Sequence, residues 1–250
     1  MQRDIAFFLK KLLFSESKIL KKRILRSIER PLEPEFPIIP ILSNKEKISI
    51  DIGVFRGVYS YLLSNHSKKV LGFEANPIMF NYLKKNLTKI AKNIVLYNFA
   101  LSNYDGECIL KIPLRNKSFF KSNFEDYYEG GMATIEKSNF LDGKKYDIFQ
   151  VKTAKLDNFK FESEIGFIKI DVEGHEQSVL EGSIDTLRKY KPNLLIEIDK
   201  KYNNNVNKTF KFLNSLGYSF YFYNKKSLIK IKNYEENYVK EFRNFIFKQN

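Results

Sequence analysis

The stretch "ISIDIGVFRGVYSYLL", Ile48 to Leu63, constrains the fold more than any other part of the chain. An apolar run of strand type ends at Asp51. Two glycines four apart follow, Gly53 and Gly57, and then Val58, Tyr61 and Leu62 recur at helical spacing. A strand, a tight glycine turn and a helix start form the unit with which an open α/β sheet binds a ligand at its strand C-termini.

The turn separates cofactor classes. A dinucleotide fingerprint needs glycine at the first, third and sixth turn positions, so that a pyrophosphate can approach the backbone. Counted from Gly53, the third position is Phe55 and the sixth is Val58. A phenyl ring therefore stands where a pyrophosphate would lie, and a nucleoside cofactor without that phosphate fits better. The next strand, "KKVLGFEAN", ends on Glu74, 23 residues after Asp51, about where an acid hydrogen-bonds a ribose diol in such folds. D-x-G-x-x-x-G followed by a late acid points to S-adenosylmethionine; a single glycine after a strand would mark only a turn.

At 250 residues the chain can bury a full core, and one domain with appendages is the simplest organisation. Its one cysteine, Cys108, excludes a disulfide framework and a thiolate metal site. Two histidines, His66 and His175, argue against a histidine-rich zinc site. No apolar run is long enough to span a membrane and no signal-peptide pattern opens the chain, so a cytoplasmic location is expected. The net charge of +14 would attract anionic partners, but the lysines are scattered along the whole sequence rather than gathered in one stripe. Nucleic-acid binding is therefore not expected.

Residues 1–42 read as a basic helical segment and a Pro-rich linker. Leu9, Leu12, Leu13, Ile19, Leu20, Ile24 and Ile28 fall near helical spacing with Lys and Arg between them. Such a helix covers the domain or a homodimer partner, or it touches anionic lipid as a peripheral membrane contact through residues 1–30. Pro31, Pro34, Pro37 and Pro40 predict an extended linker. Residues 43–234 form the main domain. Strand 69–73 leads into a helix capped by Asn76, with Pro77 in its first turn. "NIVLYNFAL" is a third strand and Cys108 to Ile112 a further one. Residues 113–150 are polar and aromatic and read as a substrate loop or lid. In "IGFIKIDVEGHEQSVLEGSIDTLRKYKP" a buried strand ends at Asp171, and one helix begins near His175 with Leu180, Ile184 and Leu187 on its buried face. "NLLIEID", a helix stopped by Gly217, and a hairpin around 224–226 follow. Residues 235–250 read as a helical tail.

The chemistry gathers at one rim. Asp171, Glu173 and His175 lie at the C-terminal edge of a central strand, on the edge that Asp51 and Glu74 share, and are the candidate catalytic residues. Methyl transfer needs an acceptor held in line with the methyl group. When the acceptor is a hydroxyl, a base helps by taking its proton, and His175, whose side chain ordinarily titrates near neutral pH, suits that task. Alternatively Asp171, with Glu197, could hold a divalent metal, of which magnesium or calcium suits oxygen ligands best.

Motifs, order and spacing resemble the FkbM family of S-adenosylmethionine-dependent methyltransferases. The resemblance rests on "IDIGVFRGVYS", "VLGFEANP", "NFALSNYDGE", "LDNF", "FIKIDVEGHEQSVLEG" and "PNLLIEID", roughly Ile48 to Asp199. It implies a Rossmann-like class I methyltransferase fold: α/β, with a seven-stranded, mostly parallel sheet and an antiparallel C-terminal hairpin. It also implies O-methylation of a hydroxyl on a sugar, a glycan or a related small molecule. Carried over, Asp51, Gly53 and Gly57 line the methionine end of the cofactor, with Phe55, Tyr59 and Ser60 of the same turn and helix start. Glu74 takes the ribose; Ala75, Asn76, Ala100 and Leu101 border the adenine, and Asp171 reaches the cofactor from the neighbouring strand. The chain departs from the family pattern in "VFR" after Gly53 and in Phe99, where many methyltransferases place an acid on the adenine amine. Asn98, Ser102 or backbone groups are expected to serve there instead.

Two other functions compete. A nucleic-acid methyltransferase is suggested by charge and by abundant Tyr and Phe that could stack on bases, but no Asn/Asp-Pro-Pro-aromatic motif is present. A non-catalytic scaffold that binds the cofactor or a partner is the other, and the intact rim residues argue against it.

Overall fold

The computed structural model describes residues 15–31, 33–114, 130–136, 145–199, 206–231 and 241–249. Its centre is β1 (Ile48–Ile52), whose five residues are all buried. Parallel neighbours are β2 (Lys69–Phe73) and then β3 (Ile94–Tyr97) on one side. On the other side lie β7 (Ile165–Ile170) and then β8 (Asn193–Glu197). The crossovers run through α3 (Val58–Ser64) and α4 (Pro77–Ile90) on one flank, and through α5 (Glu176–Glu181) and α6 (Ile184–Tyr190) on the other. Strand order therefore reverses between β1 and β7, and the crevice at that switch point is where an open α/β sheet takes its ligand.

Period-two alternation builds the two cores. Ile48, Ile50, Ile52, Ile168, Ile170, Leu194 and Ile196 face one layer, and Val70, Phe167 and Leu195 face the other. Each fully buried side chain of this kind contributes about 1.5–3 kcal/mol of transfer free energy. The second face of β1 is polar, and all but Asp51 Oδ1 of its side-chain oxygens are paired: Ser49 Oγ lies 2.6 Å from Ser67 Oγ, and Ser60 Oγ donates to Asp51 Oδ2 at 2.5 Å. That pairing is why "ISIDI" can sit in the middle of a sheet.

Gly57 opens α3 in the left-handed conformation, φ 75°, and a Cβ there would meet Leu87 at 2.8 Å. Its role is close packing of α3 on α4. Asn76 caps α4 as expected, its Oδ1 accepting from Ile78 N at 3.0 Å and Met79 N at 3.2 Å.

The described part of the basic segment is α1 (Glu16–Glu29), with Leu20 and Ile24 buried against α3 and α4; Leu9, Leu12 and Leu13 lie outside the described residues. The Pro-rich linker is not extended. Phe36–Ile38 form a 3-10 turn and α2 (Ile39–Leu42) follows, with Pro37 and Pro40 at first-turn positions that need no donor. Phe36, Ile38, Ile39 and Leu42 are buried in the same core as α3.

The third strand ends at Tyr97. Ala100–Leu101 belong to β4 of a separate three-stranded sheet, ordered β4, β6 (Tyr146–Ala154), β5 (Gly106–Pro113). The expected loop over 113–150 is thus shorter than read, because Tyr146–Gln150 pair antiparallel with β5. Thr134 also bridges to Lys111 of β5. Residues 115–129 and 137–144 lie outside the described residues.

The single helix expected from His175 to Tyr190 is broken at Gly182, where a Cβ would lie 1.9 Å from the Ser102 carbonyl oxygen. Beyond β8, α7 (Val206–Ser215) leads through left-handed Gly217, φ 86°, into β9 (Tyr218–Tyr223) and β10 (Leu228–Ile231). The C-terminal segment Asn244–Gln249 is a strand, β11, not a helix: Phe245, Ile246 and Phe247 are buried between β8 and β9 and pair antiparallel with both. Alternating burial on both faces suits a strand and no helix. The seven-stranded arrangement expected is present with β11 as its antiparallel member, and the second hairpin strand, β10, adds an eighth at the edge.

Candidate active site

The C-terminal ends of β1, β2, β7 and β8 converge on a cavity of about 250 Å³. Its floor is Gly53 and Phe55, one wall is Glu74 and Ala75, and the opposite wall is Asp171, Val172, Glu173 and Glu197. The small sheet supplies an apolar roof from Ala100, Leu101, Leu110, Ala133 and Ile135. A second cavity of about 100 Å³ adjoins it and shares Glu33, Gly53, Phe55 and Asp171.

Four non-glycine residues have positive φ among those described. Lys191 ends α6 and Lys225 sits in the β9–β10 turn, ordinary places for such a backbone. The other two, Phe55 (φ 48°) and Glu173 (φ 50°), both line the cavity. Left-handed backbone at bulky residues costs about 1–2 kcal/mol each, and strain of this kind gathers at functional sites.

Glu74 holds the glycine turn from across β2. Its Oε2 accepts from Phe55 N at 2.7 Å and its Oε1 from Asn76 N at 2.9 Å. Burial pushes its carboxyl up to about 7, against the lowering effect of those two amides. Asp51 is fully buried behind the turn, with Oδ1 lacking a hydrogen-bond partner, and burial raises it to about 6. Gly53 is needed for close approach: at φ 86°, a Cβ would stand 1.9 Å from the Asp171 carbonyl oxygen.

The residues expected at the cofactor divide by position. Gly53, Phe55, Glu74, Ala75, Ala100, Leu101 and Asp171 line the main cavity, and Tyr59 lines the smaller one. Asp51, Gly57, Ser60 and Asn76 line neither; they shape the turn from behind. Asn98 is also engaged elsewhere, its Nδ2 donating to the carbonyls of Glu74 at 2.7 Å and Ala75 at 3.1 Å. Phe99 does line the cavity.

Of the expected catalytic residues, Asp171, Glu173 and His175 all reach the cavity. His175 is 8% exposed and held at both nitrogens: Nδ1 on the Glu136 carboxylate and Nε2 at 2.9 Å from Ser102 Oγ. A carboxylate only accepts, so Nδ1 carries a proton, while Nε2 faces a serine hydroxyl that also reaches Asn103 Oδ1 at 3.4 Å. Burial, with Asp171 and Glu197 nearby, pushes the Glu173 carboxyl up to about 9. Glu197 is raised to about 8, by burial first and then by Asp171, against the opposing charge of Lys169. Glu176 is 2% exposed and closes the turn by accepting from Gly174 N at 2.9 Å, while burial raises it to about 7. No group of three or more His, Cys, Asp or Glu arranged to hold a metal ion occurs among the described residues.

Three residues were not singled out from the sequence. Lys169, 4% exposed, donates from Nζ to Asp171 Oδ2 at 2.9 Å and lies 4.5 Å over the Tyr59 ring. Burial opposes its charge, but Asp171, Asp51 and Glu33 outweigh that and hold its pKa above the usual lysine value. A lysine inside the apolar strand "FIKI" was the available signal. Glu33 accepts from Tyr59 OH at 2.5 Å, and Glu136 reaches His175 from the segment after Gly131; neither stands in a motif.

Among solved structures, the chain is similar to an FkbM methyltransferase from Methylobacillus flagellatus, at 15% identity and a TM-score of 0.50, over 82% of this chain and 44% of that one. The chain thus spans less than half the length of that protein. A rRNA methylase from Streptococcus thermophilus is 14% identical, with a TM-score of 0.47 and coverage of 88% and 97%. A protein from Streptococcus mutans solved in complex with SAH is 14% identical, with a TM-score of 0.48 and coverage of 87% and 97%. No curated protein matches the chain. The family model of the methyltransferase FkbM domain matches residues 51–220, more than half of the chain, which therefore belongs to the FkbM family of S-adenosylmethionine-dependent methyltransferases.

Proposed function

We propose that this methyltransferase acts on a hydroxyl group of a sugar, a glycan or a related small molecule. The observation that carries this reading is His175, held by the Glu136 carboxylate at Nδ1 and facing the same cavity as Glu74.

The donor set fits the cofactor. Glu74 has two oxygens beside the cavity, each already taking one backbone amide, with acceptor capacity left for a ribose diol. The apolar slot of Phe99, Ala100, Leu101 and Leu110 suits a purine. When bound, S-adenosylmethionine supplies a methyl group on a positively charged sulfur.

The chain's own residues do the rest. The Glu136 carboxylate holds the Nδ1 proton and fixes the ring, as an acid orients imidazole in hydrolytic triads. In the neutral ring, with that proton on Nδ1, Nε2 is the acceptor nitrogen, and it faces Ser102 Oγ. An acceptor hydroxyl that takes the place of the serine hydroxyl can give its proton to Nε2, which makes its oxygen a better nucleophile.

Transfer of labelled methyl to a panel of sugars, glycans and other hydroxyl compounds tests the proposal. Ether-linked product, with His175→Ala losing turnover at unchanged cofactor affinity, is the expected result. Unchanged turnover in that variant would remove His175 from the mechanism. Label found only in nucleic acid would replace the reading.

A further inference from the structure

The segment preceding the family-matched region closes the smaller cavity. Glu33 lines both cavities where they meet over Gly53, Phe55 and Asp171, yet it lies eighteen residues before the match begins at residue 51. Its position is well fixed. Tyr59 OH donates to Glu33 Oε2 at 2.5 Å, and the Tyr59 ring meets Phe36 edge-on with centroids 5.0 Å apart. Two residues on, Glu35 is 3% exposed and accepts from Asn244 Nδ2 of β11 at 3.1 Å. The chain around Glu33 is thus tied to α3 on one side and to the sheet on the other.

The smaller cavity carries both signs of charge. Glu33 and Asp171 are acids; Lys169, held by Asp171, and Arg56 are bases. A ligand end that bears an ammonium and a carboxylate on one carbon, an α-amino acid, matches that set. The tyrosine hydroxyl occupies only part of the acceptor capacity of the Glu33 carboxylate.

We propose that Glu33 is a cofactor-binding residue that accepts a hydrogen bond from the α-ammonium of S-adenosylmethionine, which makes the segment before the family-matched region part of the cofactor site. This rests on the cofactor reading above. It also gives the fixed approach of that segment a use, since an acceptor already held in place forms a charge-assisted hydrogen bond without an ordering cost on binding.

Calorimetric titration of the full chain with two probes tests it. S-adenosylhomocysteine carries the amino-acid end, and 5′-methylthioadenosine lacks it. Glu33→Gln is expected to weaken S-adenosylhomocysteine about tenfold or more and to leave 5′-methylthioadenosine unchanged, and Glu33→Asp, which keeps the charge, should lose less. Unchanged affinity for S-adenosylhomocysteine in Glu33→Gln would overturn the inference while leaving the cofactor reading intact. Equal weakening of both probes, or equal loss in the Gln and Asp variants, would also overturn it, since either marks damage to the fold rather than a lost ionic contact. A wild-type chain that binds neither probe would take down the cofactor reading and this inference together.

Discussion

The backbone carbonyl of Ser102 rests against Gly182, so closely that a Cβ on Gly182 would lie 1.9 Å from its oxygen. The same serine presents its hydroxyl to His175 Nε2. Packing of the α5–α6 junction on the turn after β4 therefore sets the position of α5, which begins at the proposed base, His175. Gly182→Ala is expected to lower stability by about 1–3 kcal/mol, the usual cost of overpacking, because the obstacle is backbone and cannot rotate away. Turnover should fall as α5, with His175 at its start, is displaced. Chemical denaturation together with a turnover assay checks this; a variant equal to wild type in both would mean that the contact yields easily.

Gly53→Ala should be worse. The clash is again with backbone, the Asp171 carbonyl oxygen at 1.9 Å, and φ of 86° adds about 1–2 kcal/mol of left-handed strain that Gly182 does not carry. The expected order of stability is wild type, Gly182→Ala, Gly53→Ala, read from denaturant midpoints. The reverse order would show that the turn relaxes more readily than the helix junction.

Glu173 predicts a pH dependence. In the unfolded chain it loses its proton near its ordinary value of 4.5, whereas in the fold it keeps it up to about 9, through burial and the acids beside it. Between those values the unfolded chain binds fewer protons than the folded one, so stability falls as pH rises. Asp51, raised to about 6, Glu35, Glu74 and Glu176, each raised to about 7, and Glu197, raised to about 8, act in the same direction over narrower windows. Glu173→Gln removes one proton from the balance and should flatten the decline above pH 8, where the others contribute less. Identical slopes from pH 8 to 9 in wild type and variant would contradict the assignment.

What the sequence made legible follows from periodicity and from turn chemistry. The strand at 48–52, the glycine turn that leads into a helix and the Asn76 cap are local signals, and all are in the fold. The errors lie where tertiary contact overrides local pattern. "NFIF" alternates between two buried faces only because β8 and β9 flank it, and without them a terminal helix reads equally well. Gly182 breaks a helix because of an oxygen eighty residues away in sequence. In the site, Glu74 and His175 could be found from motifs, but Glu33, Glu136 and Lys169 are recruited by the fold: from a Pro-rich stretch, an irregular segment and a strand interior.

The outward face of α1 carries exposed Lys18, Lys21, Lys22, Arg26 and Arg30, with Leu25 38% exposed among them. No helix of the described residues is long and apolar enough to cross a membrane. A basic face with a central leucine suits the surface of an anionic bilayer, where each Lys or Arg is worth about 1 kcal/mol. Co-sedimentation with vesicles containing phosphatidylserine should show binding that falls as salt rises, and neutral phosphatidylcholine vesicles should show little. Replacing Lys18, Lys21 and Lys22 with Glu should abolish it without changing cofactor affinity. Absence of binding at low salt would assign these lysines to solvation alone.

Glu136 and His175 give the most direct kinetic prediction. Glu136→Gln keeps the size of the side chain but can present an amide N–H to Nδ1, which permits the other tautomer, with the proton on Nε2. In that tautomer Nε2 can no longer accept from an acceptor hydroxyl. General-base assistance is worth about 10²–10⁴ in rate, so kcat should fall by about 10²-fold or more. Cofactor affinity should be unchanged, because Glu136 does not line the cavity at the Glu74 end. Ser102→Ala should behave differently: it removes the hydroxyl beside Nε2, leaves the Glu136 contact at Nδ1 intact and should change kcat by much less. Measured side by side, the two variants separate a base whose proton is placed by Glu136 from a histidine that only fills space. Equal small losses in both would favour the latter.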